Sequence, residues 1–226
     1  NRLLQDDNVE YIVNDAADDV LIVDRDAVEI LDRLWDRIEG VREVVVMDDT
    51  VPKTEADLPL SAFEDLIADT DPIASWPPLS EDDPAGMCYT SGTTGKPKGV
   101  EYTHKMLYAH AMMVMTPTAL NIAKDDVVMP VVPMFHVNSW EFPYAVTMAG
   151  AKQVYPGPSP DPADLVNLIE SEEVTLTAGV PTVWIDVLDH LDEHGGDPSS
   201  LERIIVDGRA APLEARGRQE DGYEVV

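Results

Sequence analysis

Short runs of β-branched and apolar residues alternate along this chain with longer stretches whose apolar positions recur every three or four residues. Residues 20–24 (Val-Leu-Ile-Val-Asp) and 44–48 read as strands, and between them Ile30, Leu31, Leu34 and Ile38 share one face of a helix over residues 27–38. Residues 61–68 read as a short helix, with Ser61 and Glu64 at the spacing of a capping box. Residues 71–84 carry four prolines in fourteen positions, a connector rather than an element. Beyond it, strands are predicted at 85–89, 127–132, 152–155, 174–178 and 203–206, with helices at 103–115, 140–148, 162–170 and 181–191. Such alternation implies βαβ units and an α/β fold of parallel-sheet layers flanked by helices. The expected organisation is a partial βαβ subdomain over 1–70, the connector at 71–84, and a second subdomain over 85–226. There is no internal repeat.

Composition narrows the class. Of 226 residues, 44% are hydrophobic, enough to fill a sizeable core. Forty-four acidic residues against fifteen basic ones give a net charge of −29, which disfavours nucleic acid and anionic membranes as partners. The acidic residues are spread along the chain, the pattern of a protein kept soluble in molar salt, where the Debye length falls to about 3 Å. A salt-accumulating, haloarchaeal-like source follows as an expectation. The single cysteine, Cys88, excludes an internal disulfide, fits a reducing cytoplasm, and reads as a small buried strand residue. The N-terminus shows neither a basic segment nor an apolar core, so no secretory signal is visible. The most apolar stretch, residues 106–123, contains His110, Pro117 and Asn121, and reads as a buried helix and its exit rather than a membrane span.

The densest chemistry lies at residues 89–100, Tyr-Thr-Ser-Gly-Thr-Thr-Gly-Lys-Pro-Lys-Gly-Val. Hydroxyls, glycines and two lysines directly after a short apolar strand are what a loop needs to wrap amides and cations around a polyphosphate. Gly92 and Gly95 are too close for a Walker A loop, Lys96 is followed by Pro97 rather than a hydroxyl, and the dinucleotide fingerprint is absent.

Over its whole length this segment resembles the signature of the AMP-forming adenylating enzymes, which include acyl-CoA synthetases, beetle luciferase and peptide-synthetase adenylation domains. The resemblance implies a nucleotide site formed by Thr90, Ser91, Gly92, Thr93, Thr94, Gly95 and Lys98, with Lys96 supplying charge during catalysis. Pro133-Met-Phe-His136 resembles the family's second landmark, a strand end leading into the helix that walls the acyl pocket; His136 would stand near the acyl carboxylate and Trp140 in the pocket wall. Amino-acid-adenylating members typically place an Asp after that Phe to hold the substrate ammonium. With His136 there, and apolar Met134, Trp140, Phe142 and Tyr144 around it, a fatty or aryl acid fits better. The segment around Gly179-Val180-Pro181-Thr182-Val-Trp184 resembles the strand-to-helix turn beside that pocket, with Val180, Thr182 and Trp184 as candidate lining residues. Gly208, Ala210, Ala211 and Pro212 resemble the loop that packs on adenine, with Arg209 a departure from the small residue usual there.

The resemblance implies two half-reactions: a carboxylic acid and ATP, with Mg2+, form an acyl-adenylate and pyrophosphate, and coenzyme A then takes the acyl group. Segments with which the family organises Mg2+, holds the ribose and completes adenylation are not found after Pro212. The expectation is a partial chain of a fatty- or aryl-acid–CoA ligase, inactive by itself; the alternative is a non-catalytic nucleotide- or acyl-binding remnant. His190-Leu-Asp-Glu193-His194 matches a zinc pattern, but Gly195-Gly196 end the helix there, and histidines near a helix C-terminus need no metal to explain them. No metal site is expected.

Overall fold

The computed structural model describes residues 4–68, 70–90, 96–206 and the backbone of 224–225. The chain divides into two compact units, Asn1–Ser80 with Tyr89–Glu101, and Glu81–Cys88 with Tyr102–Val226.

The first unit is built on three parallel strands, β1 (Val20–Val23), β2 (Glu43–Val46) and β3 (Leu60–Ala62), in the order β1-β2-β3. The run Val44-Val45-Val46 makes β2 the central strand: it is buried on both faces, as expected where a β-branched run is covered above and below. Val28 and Leu31 of α2 (Val28–Leu34) close the core against Val44, Val46 and Leu58. The predicted helix over 27–38 is divided, with 3-10 turns at Arg25–Ala27 and Trp35–Arg37 on either side of α2. Helix α1 (Asp6–Ala16) was not foreseen; Arg33 and Arg37 hold its first turn through Asp6 and Asp7, at 3.1 and 2.7 Å. Ser61 does not cap a helix. It lies in β3 opposite Val45 and donates its hydroxyl to Glu43, so sheet pairing takes the residue that local spacing assigns to a cap, and α3 (Phe63–Ala68) begins two residues later.

The second unit holds a five-stranded sheet: β6 (Val127–Pro130), β7 (Lys152–Gln153), β8 (Leu176–Gly179), β9 (Arg203–Val206) and β10 (Glu224–Val225). Their order is β10-β9-β8-β6-β7, and every pairing is parallel. Alternate side chains point to opposite faces. Val128, Leu176, Ala178 and Ile205 meet α4 (His104–Val114) and α6 (Phe142–Ala149) on one face, whereas Met129, Ile204 and Val206 meet α7 (Pro162–Glu172) and α8 (Pro181–His194) on the other. Asp161 caps α7 in a full capping box with Asp164.

Two strands stand apart from both parallel sheets. β4 (Pro84–Thr90), which leads into the hydroxyl- and glycine-rich loop, pairs among the described residues with β5 (Lys98–Thr103) alone, in a two-stranded sheet. The expectation that this loop leaves a strand of an open parallel sheet is therefore corrected: a strand leads into it, but a strand of a separate ribbon, and β5 was not foreseen at all.

Candidate active site

Strand order creates a crevice. From β6 the chain proceeds to β7 on one side, whereas from β8 it proceeds to β9 on the other, so the neighbouring strands β6 and β8 form a topological switch point. The helices that follow them lie on opposite faces, α6 on one and α8 on the other. His136 and Trp140 follow β6, and Val180, Thr182 and Trp184 follow β8.

The segment after β6 has an unusual backbone. Val137, Asn138, Ser139, Trp140 and Glu141 all have φ between 48° and 62°, a left-handed turn that includes α5 (Val137–Trp140). For L-residues each such position costs roughly 1–2 kcal/mol, so a run of five persists only where side chains hold it. Ser139, fully buried, donates its hydroxyl to the Val132 carbonyl at 2.8 Å. Cys88 donates its thiol to Asn138 Oδ1 at 3.0 Å. Glu141 ends the turn and starts α6, its carbonyl accepting from the amides of Tyr144 and Ala145 at 3.1 and 3.0 Å. The Glu141 side chain is 3% exposed, and its Oε2 lies 3.2 Å from His110 Nδ1 of α4, an ion-pair distance without hydrogen-bond alignment. Burial pushes the Glu141 carboxyl above its ordinary pKa, and His110 opposes the shift. Burial likewise raises the nearby Tyr102 phenol, with Cys88 and Glu141 adding to the effect.

His136 itself is exposed, its amide donating to the Pro133 carbonyl at 2.9 Å, and Met134, Phe135, Val137 and Tyr144 are exposed as well. Trp140 packs half-buried against the core beneath α6. After β8, Val180 and Thr182 are exposed at the first turn of α8, while Trp184 is buried. The indole stands over Gly179: a Cβ there would lie 3.1 Å from Trp184 Cζ2, so this glycine makes room for the ring. Among the described residues Trp184 Nε1 has no hydrogen-bond partner. Cys88, expected as a small strand residue, is buried in β4. His190 and His194 stack at 4.6 Å near the end of α8.

In the first unit, Thr90 ends β4 and is exposed, Lys98 begins β5 and is exposed, and Lys96 lies over the Tyr11 ring of α1. Tyr89 donates its hydroxyl to Asp15 of α1 at 2.8 Å; burial and that contact push its pKa up to about 12. Ser91, Gly92, Thr93, Thr94, Gly95, Gly208, Ala210, Ala211 and Pro212 lie outside the described residues. The residues that sequence reasoning missed are Glu141 and His110. Their only signal was a carboxylate within an otherwise apolar helix start.

Residues 1–222 match the family described as AMP-binding enzyme. The chain belongs to that family. Among AMP-binding enzymes it is 42% identical over 226 residues to a long-chain-fatty-acid–CoA ligase of Thermus thermophilus, covering all of this chain and 40% of that protein. It is 40% identical over 220 residues to a medium-chain-fatty-acid–CoA ligase of Ectopseudomonas oleovorans, covering 97% of this chain and again 40% of the relative. The chain thus spans about two fifths of the length of the curated relatives it matches. In structure it is similar to the anthranilate CoA ligase AuaEII in complex with anthranoyl-AMP, with a TM-score of 0.83 at 22% identity over all of this chain and 43% of that one. At that identity the likeness carries the fold, an AMP-binding-enzyme α/β architecture of parallel sheets flanked by helices. Among the described residues no helix is long and apolar enough to cross a membrane.

Proposed function

We propose that this chain is the nucleotide- and acyl-binding part of an acid–thiol ligase that activates a fatty or aryl carboxylic acid with ATP and passes it to coenzyme A. The observation that carries this reading is the topological switch point between β6 and β8, with His136 and Trp140 following one strand and Val180, Thr182 and Trp184 following the other. Ligands of open parallel sheets bind at such points. The exposed apolar side chains beside His136 suit a hydrocarbon or aryl acid, and the fatty-acid–CoA ligases matched along the whole chain support that substrate class. The alternative, a non-catalytic nucleotide- or acyl-binding remnant, retains the same crevice and differs only in turnover.

In the first half-reaction a carboxylate oxygen attacks the α-phosphorus of ATP and the bond to pyrophosphate breaks. In the second, the coenzyme A sulfur attacks the acyl carbon and the bond to AMP breaks. Negative charge grows on the departing pyrophosphate, and Lys96, Lys98 and the hydroxyls of Thr90, Ser91, Thr93 and Thr94 are the donors assigned to it, with Gly92 and Gly95 allowing close approach. His136 is assigned to the acyl carboxylate, and Gly208, Ala210, Ala211 and Pro212 to the adenine. Mg2+ accompanies the ATP phosphates; among the described residues no cluster of three carboxylate, His or Cys side chains is arranged to hold an ion, and no step is assigned to a protein-bound metal. Residues 1–70 form the supporting βαβ part, 71–84 the connector and 85–226 the binding part of this cytoplasmic, salt-adapted ligase.

The test is ATP–pyrophosphate exchange by the full-length protein in high KCl, with fatty acids of increasing length, benzoate, and amino acids. Exchange that depends on a fatty or aryl acid and falls with His136→Ala and Lys96→Ala supports the ligase. Exchange with amino acids alone, or equal exchange in both variants, overturns it, and the absence of exchange with retained nucleotide binding favours the remnant.

A further inference from the structure

The left-handed turn before α6 is strained along its whole length, and the groups that restrain it come from other elements. Two of them, Ser139 with Val132 and Asn138 with Cys88, are ordinary hydrogen bonds of the turn to its immediate surroundings. The third is different. Glu141 is a carboxylate almost entirely removed from water, and among the described residues the charged group it faces is His110, which stands on a different helix, α4. A polar group buried without a partner is disfavoured, so taking His110 away from Glu141 carries a penalty, and Glu141 is the residue at which the left-handed run stops and α6 begins. The carboxylate also sits at the N-terminal end of α6, where the helix dipole favours negative charge. His110, by contrast, is 40% exposed at its side chain and contributes little to the core by burial.

We propose that His110 and Glu141 are positioning residues: their ion pair fastens the left-handed turn to α4 and thereby sets where Trp140, and with it the wall of the crevice after β6, stands. The clamp acts through Trp140 and touches no substrate. Its functional consequence rests on the reading of Trp140 as part of the acyl pocket. With the pair broken, the turn relaxes toward right-handed or extended backbone, Trp140 leaves its half-buried seat against the core, and a carboxylic acid loses a pocket wall while the nucleotide loses nothing.

The experiment is 19F NMR of the chain labelled with 5-fluorotryptophan, whose four tryptophans, Trp35, Trp76, Trp140 and Trp184, give separate reporters, with Trp140→Phe to assign the one of interest. His110→Gln and Glu141→Gln are each expected to move or split the Trp140 resonance by more than its line width while the other three stay in place. If Glu141→Gln does not fold, the half-exposed His110→Gln carries the test alone. A Trp140 resonance unmoved in His110→Gln overturns the clamp, and so does a shift of all four resonances, which would mark general loss of structure. In the full-length protein the same variants should raise KM for the carboxylic acid roughly ten- to a hundredfold and leave KM for ATP within about twofold. A moved Trp140 resonance with an unchanged KM for the acid supports the clamp and removes Trp140 from the acyl pocket.

Discussion

The Lys96 ammonium lies over the face of the Tyr11 ring, 4.4 Å from its centroid, in a groove of the first unit that Asp7, Glu10 and Asp15 also line. A cation in that seat is held by the ring quadrupole and by nearby carboxylates, and on the proposed reading phosphate must draw it away before Lys96 can serve a nucleotide. At an exposed site the ring contributes about 0.5–1 kcal/mol, or roughly two- to fivefold in an equilibrium. Tyr11→Leu is therefore expected to tighten ATP binding by about that factor, measured by equilibrium titration. If Lys96 carries charge as pyrophosphate departs, as proposed, Lys96→Ala should slow pyrophosphate exchange by roughly 30- to 1000-fold with a smaller rise in KM for ATP. Tighter binding in neither titration nor competition by Tyr11→Leu would show that the seat is incidental.

A second relationship concerns stability alone. Arg203 at the start of β9 pairs with Asp126 and donates from Nη1 to the carbonyls of Leu120 and Asn121, each at 2.8 Å. Asp126 in turn accepts from Thr175 Oγ1 at 2.8 Å and from the Ala123 amide at 2.7 Å. Both side chains are largely buried, so removing one leaves the other charge without compensation, at a cost of about 3–5 kcal/mol. Arg203→Ala and Asp126→Ala should each lower the unfolding free energy measured by urea titration by an amount of that order, whereas the double substitution should cost clearly less than the two single losses combined. Additive losses would show that the two residues do not work as one network.

Much of this architecture is legible in the alternation of short apolar runs with amphipathic ones, because β6, β7, β8 and β9 are short and a helix lies between each and the next. Residues 127–132 and 174–178 read as short apolar runs, which is how strands covered on both faces appear. Other features depend on partners distant in sequence. Ser61 and Glu64 have the spacing of a cap, yet Leu60–Ala62 is claimed by the edge of β2, which no local window contains. Nothing in Val-Asn-Ser-Trp-Glu announces a left-handed turn, and a β-branched Val137 argues against one. The turn is held by Val132 earlier in the same connection and by Cys88 and His110 from β4 and α4. The candidate pocket residues were legible as motif, while the pair that steadies one of them became visible only in three dimensions.

Tyr89 gives a prediction about pH. Its phenol is raised to about 12 by burial first and by the hydrogen bond to Asp15 next, so the folded state favours the protonated form. A raised pKa contributes stability fully below the unfolded value near 10 and loses it as pH climbs through the folded value. The affected window is thus about pH 10–12, with no effect at neutral pH. In a spectrophotometric titration, the difference between the parent chain and Tyr89→Phe should show one phenol ionising near 12. A difference curve centred near 10 would mean that Asp15 and burial do not hold the proton.

Salt tests the consequence of the charge balance. Surface pairs such as Arg25–Asp48 and Arg42–Asp19 occupy some of the arginines, but pairs this exposed contribute only about 0–1 kcal/mol each, and screening by salt weakens them. Against them stands a net charge of −29, with carboxylates spread over the whole chain. Exposed like charges about 7 Å apart repel by roughly 0.6 kcal/mol in water, and many such pairs are a sizeable fraction of a folding free energy of about 5–15 kcal/mol. Screening removes both kinds of interaction, and repulsion is the larger because unpaired acidic side chains far outnumber the basic ones available to them. The melting temperature should therefore rise between about 0.1 and 2 M KCl, most steeply below about 1 M, where the Debye length is still shrinking toward about 3 Å. A flat or falling curve would mean that the ion pairs prevail over the repulsion and that the acidic surface is not an adaptation to salt.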